Sequence, residues 1–126
     1  MSWYQKILAS CSFLLSHPVT RTSKEQQRAD RLASTITLYD HSTCPSSIRI
    51  RQYIKTLNIS ITVKNLKRCH VYEKELLADT GSVIVPCLKV ETSKGSRWIQ
   101  GYDLVKDYLD QKFVPKPKIN VLDKAL

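Results

Sequence analysis

Between residues 35 and 63 the chain reads strand, helix, strand, and that order restricts the fold more than any other feature. Residues 35–39 (Thr-Ile-Thr-Leu-Tyr) run apolar or alternate, as a strand does. From Pro45, the residues Ile48, Ile50, Tyr53, Ile54 and Leu57 supply an apolar stripe at helical spacing, and Asn58 offers a stop. Residues 59–63 form a short β-branched strand. Two strands joined through a helix lie parallel, because such a connection returns the chain to the end of the sheet where it started. Further on, Val71, Leu76 and Leu77 mark a short helix that ends at Thr80-Gly81, glycine being a common terminator. Residues 83–91 are strongly β-prone but interrupted by Pro86, and proline in a strand belongs at an edge, at a bend or in a cis peptide. Ser93-Lys94-Gly95 turns the chain into residues 97–99, which makes an antiparallel hairpin. A last helix is expected over 102–113, with Leu104, Val105, Tyr108, Leu109 and Phe113 inward. The expected class is α/β, a βαβαββα unit in which helices flank a mixed four-stranded sheet.

This unit spans residues 35–113 of a chain of 126, preceded by a segment 1–34 and followed by a tail 114–126. In the first segment Tyr4, Ile7, Leu8, Cys11, Leu14 and Leu15 recur at helical spacing, so residues 3–16 read as an amphipathic helix. Its apolar run is too short to span a bilayer. The expected roles are docking on the domain, self-association or peripheral membrane contact. Residues 17–34 read as a polar linker with helical character at 24–32, and Ile119, Val121 and Leu122 give the tail a small apolar flap.

The net charge of +9 is spread out: +3 in residues 1–34, +4 in 35–113 and +2 in 114–126. No block of five or six basic residues occurs, so a nucleic-acid partner is not expected. A diffuse positive field suits small anionic ligands or an anionic surface. The four cysteines, Cys11, Cys44, Cys69 and Cys87, have no metal-finger spacing. With no convincing leader segment, free thiols in a reducing cytoplasm are the expectation, and no metal site is expected from spacing.

Cys44 stands where the first strand gives way to the first helix of the unit. Proline is tolerated at the first helical position, so Pro45 puts Cys44 at the N-cap with its sulfur toward the N–H groups of Ser46 and Ser47. Those donors and the positive end of the helix favour thiolate over thiol. Cys44 is therefore the candidate nucleophile. Cys87, inside a strand, reads as a packing residue, and Cys69 and Cys11 as surface or packing residues. Arg49 and Arg51 read as solvent-facing helical residues that raise the local positive potential, and Trp98 as a hairpin residue covering the sheet.

Leu38-Tyr39 followed by Thr43-Cys44-Pro45, the Val85-Pro86 pair 41 to 42 residues on, and the closing Tyr102-Asp103-Leu104 helix resemble a thioredoxin fold. More narrowly, they are similar to a glutaredoxin or the N-terminal domain of a glutathione transferase. Val85-Pro86-Cys87-Leu88, the hairpin with Trp98 and the ending Asp107-Tyr108-Leu109-Asp110 resemble a proteobacterial group of glutaredoxin-like proteins with a similar N-terminal helical extension. The resemblance implies a glutathione site at Cys44, Pro45 and Ser47. Val85, before a cis Pro86, would offer its backbone to the cysteine of glutathione. His41, Lys67 and Arg68 would meet the glycine carboxylate, and Tyr102 and Asp103 the γ-glutamyl end. Gly101 stands where transferase-like members often have Glu.

The motif Cys44-Pro45-Ser46-Ser47 departs from ordinary members, which have a second cysteine in place of Ser47. An intramolecular disulfide across the motif is then impossible, and a mixed disulfide at Cys44 must be resolved by an outside thiol, most naturally a second glutathione. The expectation is a cytoplasmic glutathione-dependent thiol–disulfide oxidoreductase of monothiol type, acting on glutathionylated proteins. Two alternatives stay open: a non-catalytic interaction module that has kept the fold, and a [2Fe–2S] cluster shared by two copies through Cys44 and glutathione. Single-cysteine glutaredoxins of the cluster-binding kind typically carry Cys-Gly-Phe-Ser, and this chain lacks the glycine and the phenylalanine.

Overall fold

The computed structural model describes residues 18–115, and the statements below concern those residues. The amphipathic helix expected at 3–16, Cys11 and the flap residues Ile119, Val121 and Leu122 lie outside them. Helix α1 (Ser23–Ala33) leads into strand β1 (Ile36–Asp40), helix α2 (Pro45–Thr56), strand β2 (Thr62–Asn65) and helix α3 (His70–Thr80). Strands β3 (Cys87–Thr92) and β4 (Gly95–Gln100) and helix α4 (Tyr102–Phe113) complete the order. From β1 onward this is the expected βαβαββα unit. The sheet runs β2-β1-β3-β4, with β1 and β2 parallel and the other two pairs antiparallel.

Alternation along β1 sorts its side chains between two layers. Ile36 and Leu38 enter the larger core, beneath α2 and α4, with Ile50, Leu88, Val105 and Leu109. Tyr39 points to the other face, where it packs with Leu66, Leu76 and Cys87 under α3. Trp98 covers that face as expected, its ring centroid 5.2 Å from that of Tyr39. Tyr39 also donates its hydroxyl to Glu75 Oε2 at 2.8 Å, and Lys64 lies 3.2 Å from the same oxygen, which ties α3 to the sheet.

The polar stretch that reads as a linker is helix α1, one residue longer at each end than the expected 24–32. A capping box starts it: Thr22 Oγ1 accepts the Glu25 N–H at 3.2 Å and Glu25 Oε2 accepts the Thr22 N–H at 3.4 Å. Only small apolar residues, Ala29 and Ala33, are buried along it, and they join the larger core together with Val19. Arg21 Nη2 donates to the Phe113 carbonyl at 2.6 Å, and Val19 N–H to the Thr56 carbonyl at 2.8 Å. The core thus draws on residues before 35.

Several expected boundaries and faces differ. Pairing of β2 with β1 begins at Thr62, while Ile59 drops into the larger core on its way from helix to sheet. Strand β3 begins at Cys87 rather than Val83, because β1 ends one residue beyond the Tyr39–Cys87 pair and Pro86 has no N–H to extend the ladder. Val83 and Ile84 are consequently exposed. On α4 the buried face is Val105, Leu109 and Phe113, whereas Leu104 is 61% exposed. Val71 and Leu77 also face outward, leaving Leu76 as the buried residue of α3, and Ile48 stands at the edge of the α2 stripe. No helix among the described residues is long and apolar enough to cross a membrane.

Candidate functional site at one end of the sheet

Strand register brings the predicted site residues to one end of the sheet. Asp40, the last residue of β1, stands opposite Asn65, the last of β2. Tyr39 stands opposite Cys87, the first of β3, and Cys87 opposite Gln100, the last of β4. The loop from His41 to Cys44, the Lys67-Arg68 turn, the Val85–Pro86 peptide and the first turn of α4 therefore all leave from the same end. The Val85–Pro86 bond is cis, as its place in the sequence allowed. The Pro86 carbonyl accepts the Gly101 N–H at 2.9 Å, joining the start of α4 to the proline. Gly101 has φ +98°, a conformation that a residue with a side chain rarely adopts.

Cys44 is the N-cap of α2 in extended conformation, half-buried, with Pro45 as the first helical residue. Its sulfur makes no formed capping bond to the helix. The backbone N–H of Ser47 contributes most to holding the thiol below its ordinary pKa, helped by the Ser47 hydroxyl and by the N–H and hydroxyl of Ser46. Partial burial opposes them and does not prevail. Ser47 is fully buried, and its oxygen accepts the His41 N–H at 3.3 Å, which leaves its own proton to donate. The direction of the shift is the one that donors at a helix start impose on a capping thiol.

The remaining candidates are less uniform. His41 has one ring nitrogen, Nδ1, committed to its own loop: Thr43 N–H and Oγ1 lie 3.3 and 2.8 Å from it. Lys67 and Arg68 are exposed, their backbone N–H groups held by Asn65 Oδ1 and the Asn65 carbonyl at 3.0 Å each. Val85 is half-buried against the Tyr39 layer and Pro86 is buried. Tyr102 packs partly against the larger core, while Asp103 is exposed in the first turn of α4.

One pair was missed. Asp40 is buried to 1% side-chain exposure behind the Cys44 loop, with Arg51 Nε 2.9 Å from its Oδ2. Arg51 thus turns inward, not to solvent as its helical position suggested. Burial raises the pKa of Asp40, against the opposing charges of Arg51 and His41. The signal was available in parity: Asp40 continues the inward series Ile36, Leu38.

Comparison with known proteins agrees with this geometry. The glutaredoxin family model matches residues 36–93, which hold the thiol loop, the cis proline and strand β3. Residues 36–93 are thus glutaredoxin-like. Comparison with curated proteins gave no match. Among solved structures, a buckwheat glutaredoxin–glutathione complex is 20% identical, covering 75% of this chain and 92% of its own, with a TM-score of 0.51. The holo form of a glutaredoxin from Populus tremula x tremuloides is also 20% identical, covering 73% and 92%, with a TM-score of 0.50. A maleylacetoacetate isomerase from Anaeromyxobacter dehalogenans with bound GSH is 16% identical, covering 72% of this chain and 44% of its own, with a TM-score of 0.50. At such identities the likeness is one of fold, and the fold is the thioredoxin fold.

In this glutaredoxin-like domain Cys87, next to the cis proline, is buried with its thiol pushed up to about 12 by burial, as a packing residue should be. Among the described residues no group of three or more His, Cys, Asp or Glu side chains could hold a metal ion. A [2Fe–2S] centre shared by two copies would draw one thiolate, that of Cys44, from each.

Proposed function

We propose that this protein is a glutathione-dependent thiol–disulfide oxidoreductase that works through the single thiol of Cys44. The observation that supports the reading is a half-buried Cys44 at a helix start, its pKa lowered, at the same end of the sheet as the cis Val85–Pro86 peptide. The fold neighbour from buckwheat is itself a glutathione complex, and the same end of this fold offers Val85, Lys67, Arg68 and Asp103 for a small anionic peptide.

The route balances without a second motif cysteine. The Cys44 thiolate attacks the glutathione sulfur of a protein–glutathione mixed disulfide, and the protein sulfur leaves as a thiolate that takes up a proton. Cys44 is then joined to glutathione. A second glutathione thiolate attacks the glutathione sulfur of that disulfide, releasing oxidised glutathione and restoring the Cys44 thiolate. One glutathione thiol is consumed and one protein thiol is freed, and the glutathionyl group taken from the substrate leaves joined to the incoming glutathione as one disulfide. Ser47 contributes donors to the anion at the start and end of the cycle, and no disulfide across the motif takes part.

A deglutathionylation assay tests this. Cys44→Ser should lower turnover by at least about 100-fold, because a hydroxyl is a far weaker nucleophile at its free pKa. Cys87→Ser should keep most of it. Equal loss from both substitutions, or none from either, rejects the assignment. A folded wild type that neither turns over nor binds glutathione would instead be an interaction module, and a brown anaerobic preparation that loses its colour with Cys44→Ser would be a cluster carrier.

A further inference from the structure

Behind the thiol loop, Ser42 is held from both sides by residues that contribute nothing to the cap itself. Arg51 Nη2 donates to the Ser42 carbonyl at 3.3 Å, and Asn65 Oδ1 accepts the Ser42 N–H at 3.2 Å. Arg51 is itself placed by Asp40, whose Oδ2 lies 2.9 Å from Arg51 Nε. The approach is off the hydrogen-bond axis, so neither carboxylate oxygen has a formed hydrogen bond although both are sealed from water. A buried carboxylate left in that condition costs free energy unless a cation stands beside it. Asp40 and Arg51 are therefore fixed to one another, and the guanidinium, a rigid fork of donors, passes that constraint to the loop. Both residues also line an open recess of about 490 Å³ next to Ser42, Asn65 and Arg68.

We propose that Asp40 and Arg51 are positioning residues for Cys44: the buried pair clamps Ser42, with Asn65 as the opposite jaw, and so sets where the sulfur stands relative to the Ser46 and Ser47 donors. The inference rests on Cys44 acting as a thiolate. None of the three residues touches the sulfur in the contacts described above. A bare charge near the loop could raise the thiolate fraction as well, and the fork distinguishes the two. Lysine keeps the charge of Arg51 and loses the second N–H that reaches Ser42 while the first faces Asp40.

The experiment is the rate of iodoacetamide alkylation of Cys44 against pH, followed by mass spectrometry on folded protein. Arg51→Met and Arg51→Lys should both slow alkylation on the acid side of the profile by about 3- to 10-fold, equivalent to half to one pKa unit, with the alkaline plateau unchanged. Asn65→Ala, a change at a half-buried surface position, should move the profile in the same direction by less and keeps the question answerable if the Arg51 variants fold poorly. Asp40→Asn, nearly isosteric, should reproduce Arg51→Lys. A profile in Arg51→Lys that matches wild type assigns the effect to charge alone and overturns the clamp, as do unchanged profiles in all the variants. A wild type whose Cys44 titrates as an ordinary thiol fails differently, since it removes the thiolate reading on which the clamp rests.

Discussion

Two sulfurs stand near the same end of the sheet and are built for opposite ends. Cys44 sits at the start of α2, half-buried, where the Ser47 N–H and its neighbours lower its pKa. Cys87 follows Pro86 into β3, sealed among Tyr39, Leu66 and Leu76, where burial pushes its pKa up to about 12. Chain geometry decides between them. A helix start presents unpaired N–H groups to whatever caps it, whereas a central strand spends its N–H groups on the ladder and leaves a side chain only its neighbours. Cysteine count and proximity to proline therefore say less about reactivity than the element on which each thiol begins.

The widest separation of the two is expected in turnover, with Cys44→Ser near zero and Cys87→Ser close to wild type. Next comes the core that holds them in place. Leu88 is buried in β3 directly after Cys87, and Leu88→Ala should cost about 2–5 kcal/mol in urea unfolding while leaving the alkylation profile of Cys44 on the remaining folded protein unchanged. A parallel shift of that profile would mean that the thiol environment depends on the whole core and not on the cap.

Smaller, but of opposite sign at the two sulfurs, is the dependence of stability on pH. The folded pKa of Cys44 lies below its ordinary 9.0, so between those values the unfolded chain holds a proton that the folded chain has released. Its contribution is present above 9.0 and is lost as pH falls through the folded value. For Cys87 the folded value of about 12 exceeds 9.0, so above 9.0 the unfolded chain releases a proton that the folded one keeps, and stability falls as pH rises. Urea midpoints measured from neutral to alkaline pH should therefore show the rise disappear in Cys44→Ser and the alkaline fall disappear in Cys87→Ala. If the two substitutions alter the same limb, the contrast fails. The smallest effect belongs far from both: Thr22→Ala should remove the α1 capping box for roughly 1 kcal/mol with no change at either thiol.

Much of this was legible in the residues. The strand at Ile36, the helix from Pro45 to its Asn58 stop, the Gly81 terminator and the hairpin around Gly95 each carry a local signal, and each stands where that signal put it. Cys44 could be read because its chemistry depends on two neighbours in sequence, Ser46 and Ser47. What could not be read depends on partners far along the chain. Val83 and Ile84 are β-prone, yet β1 has no residue left to pair with them. Helix α1 hides behind a polar composition because it buries only two alanines. Arg51 looks like a solvent-facing charge until the helix closes on the strand and sets it against Asp40, whose inward parity alone named no partner.

The most direct check is the titration of Cys44 in the folded, reduced protein, by thiolate absorbance against Cys44→Ser as the blank. The account predicts a midpoint clearly below the ordinary 9.0, with the Cys87 thiol silent until well above it. A Cys44 midpoint at or above 9.0 would contradict it, since the sulfur would then be no better a nucleophile than one on an unfolded chain.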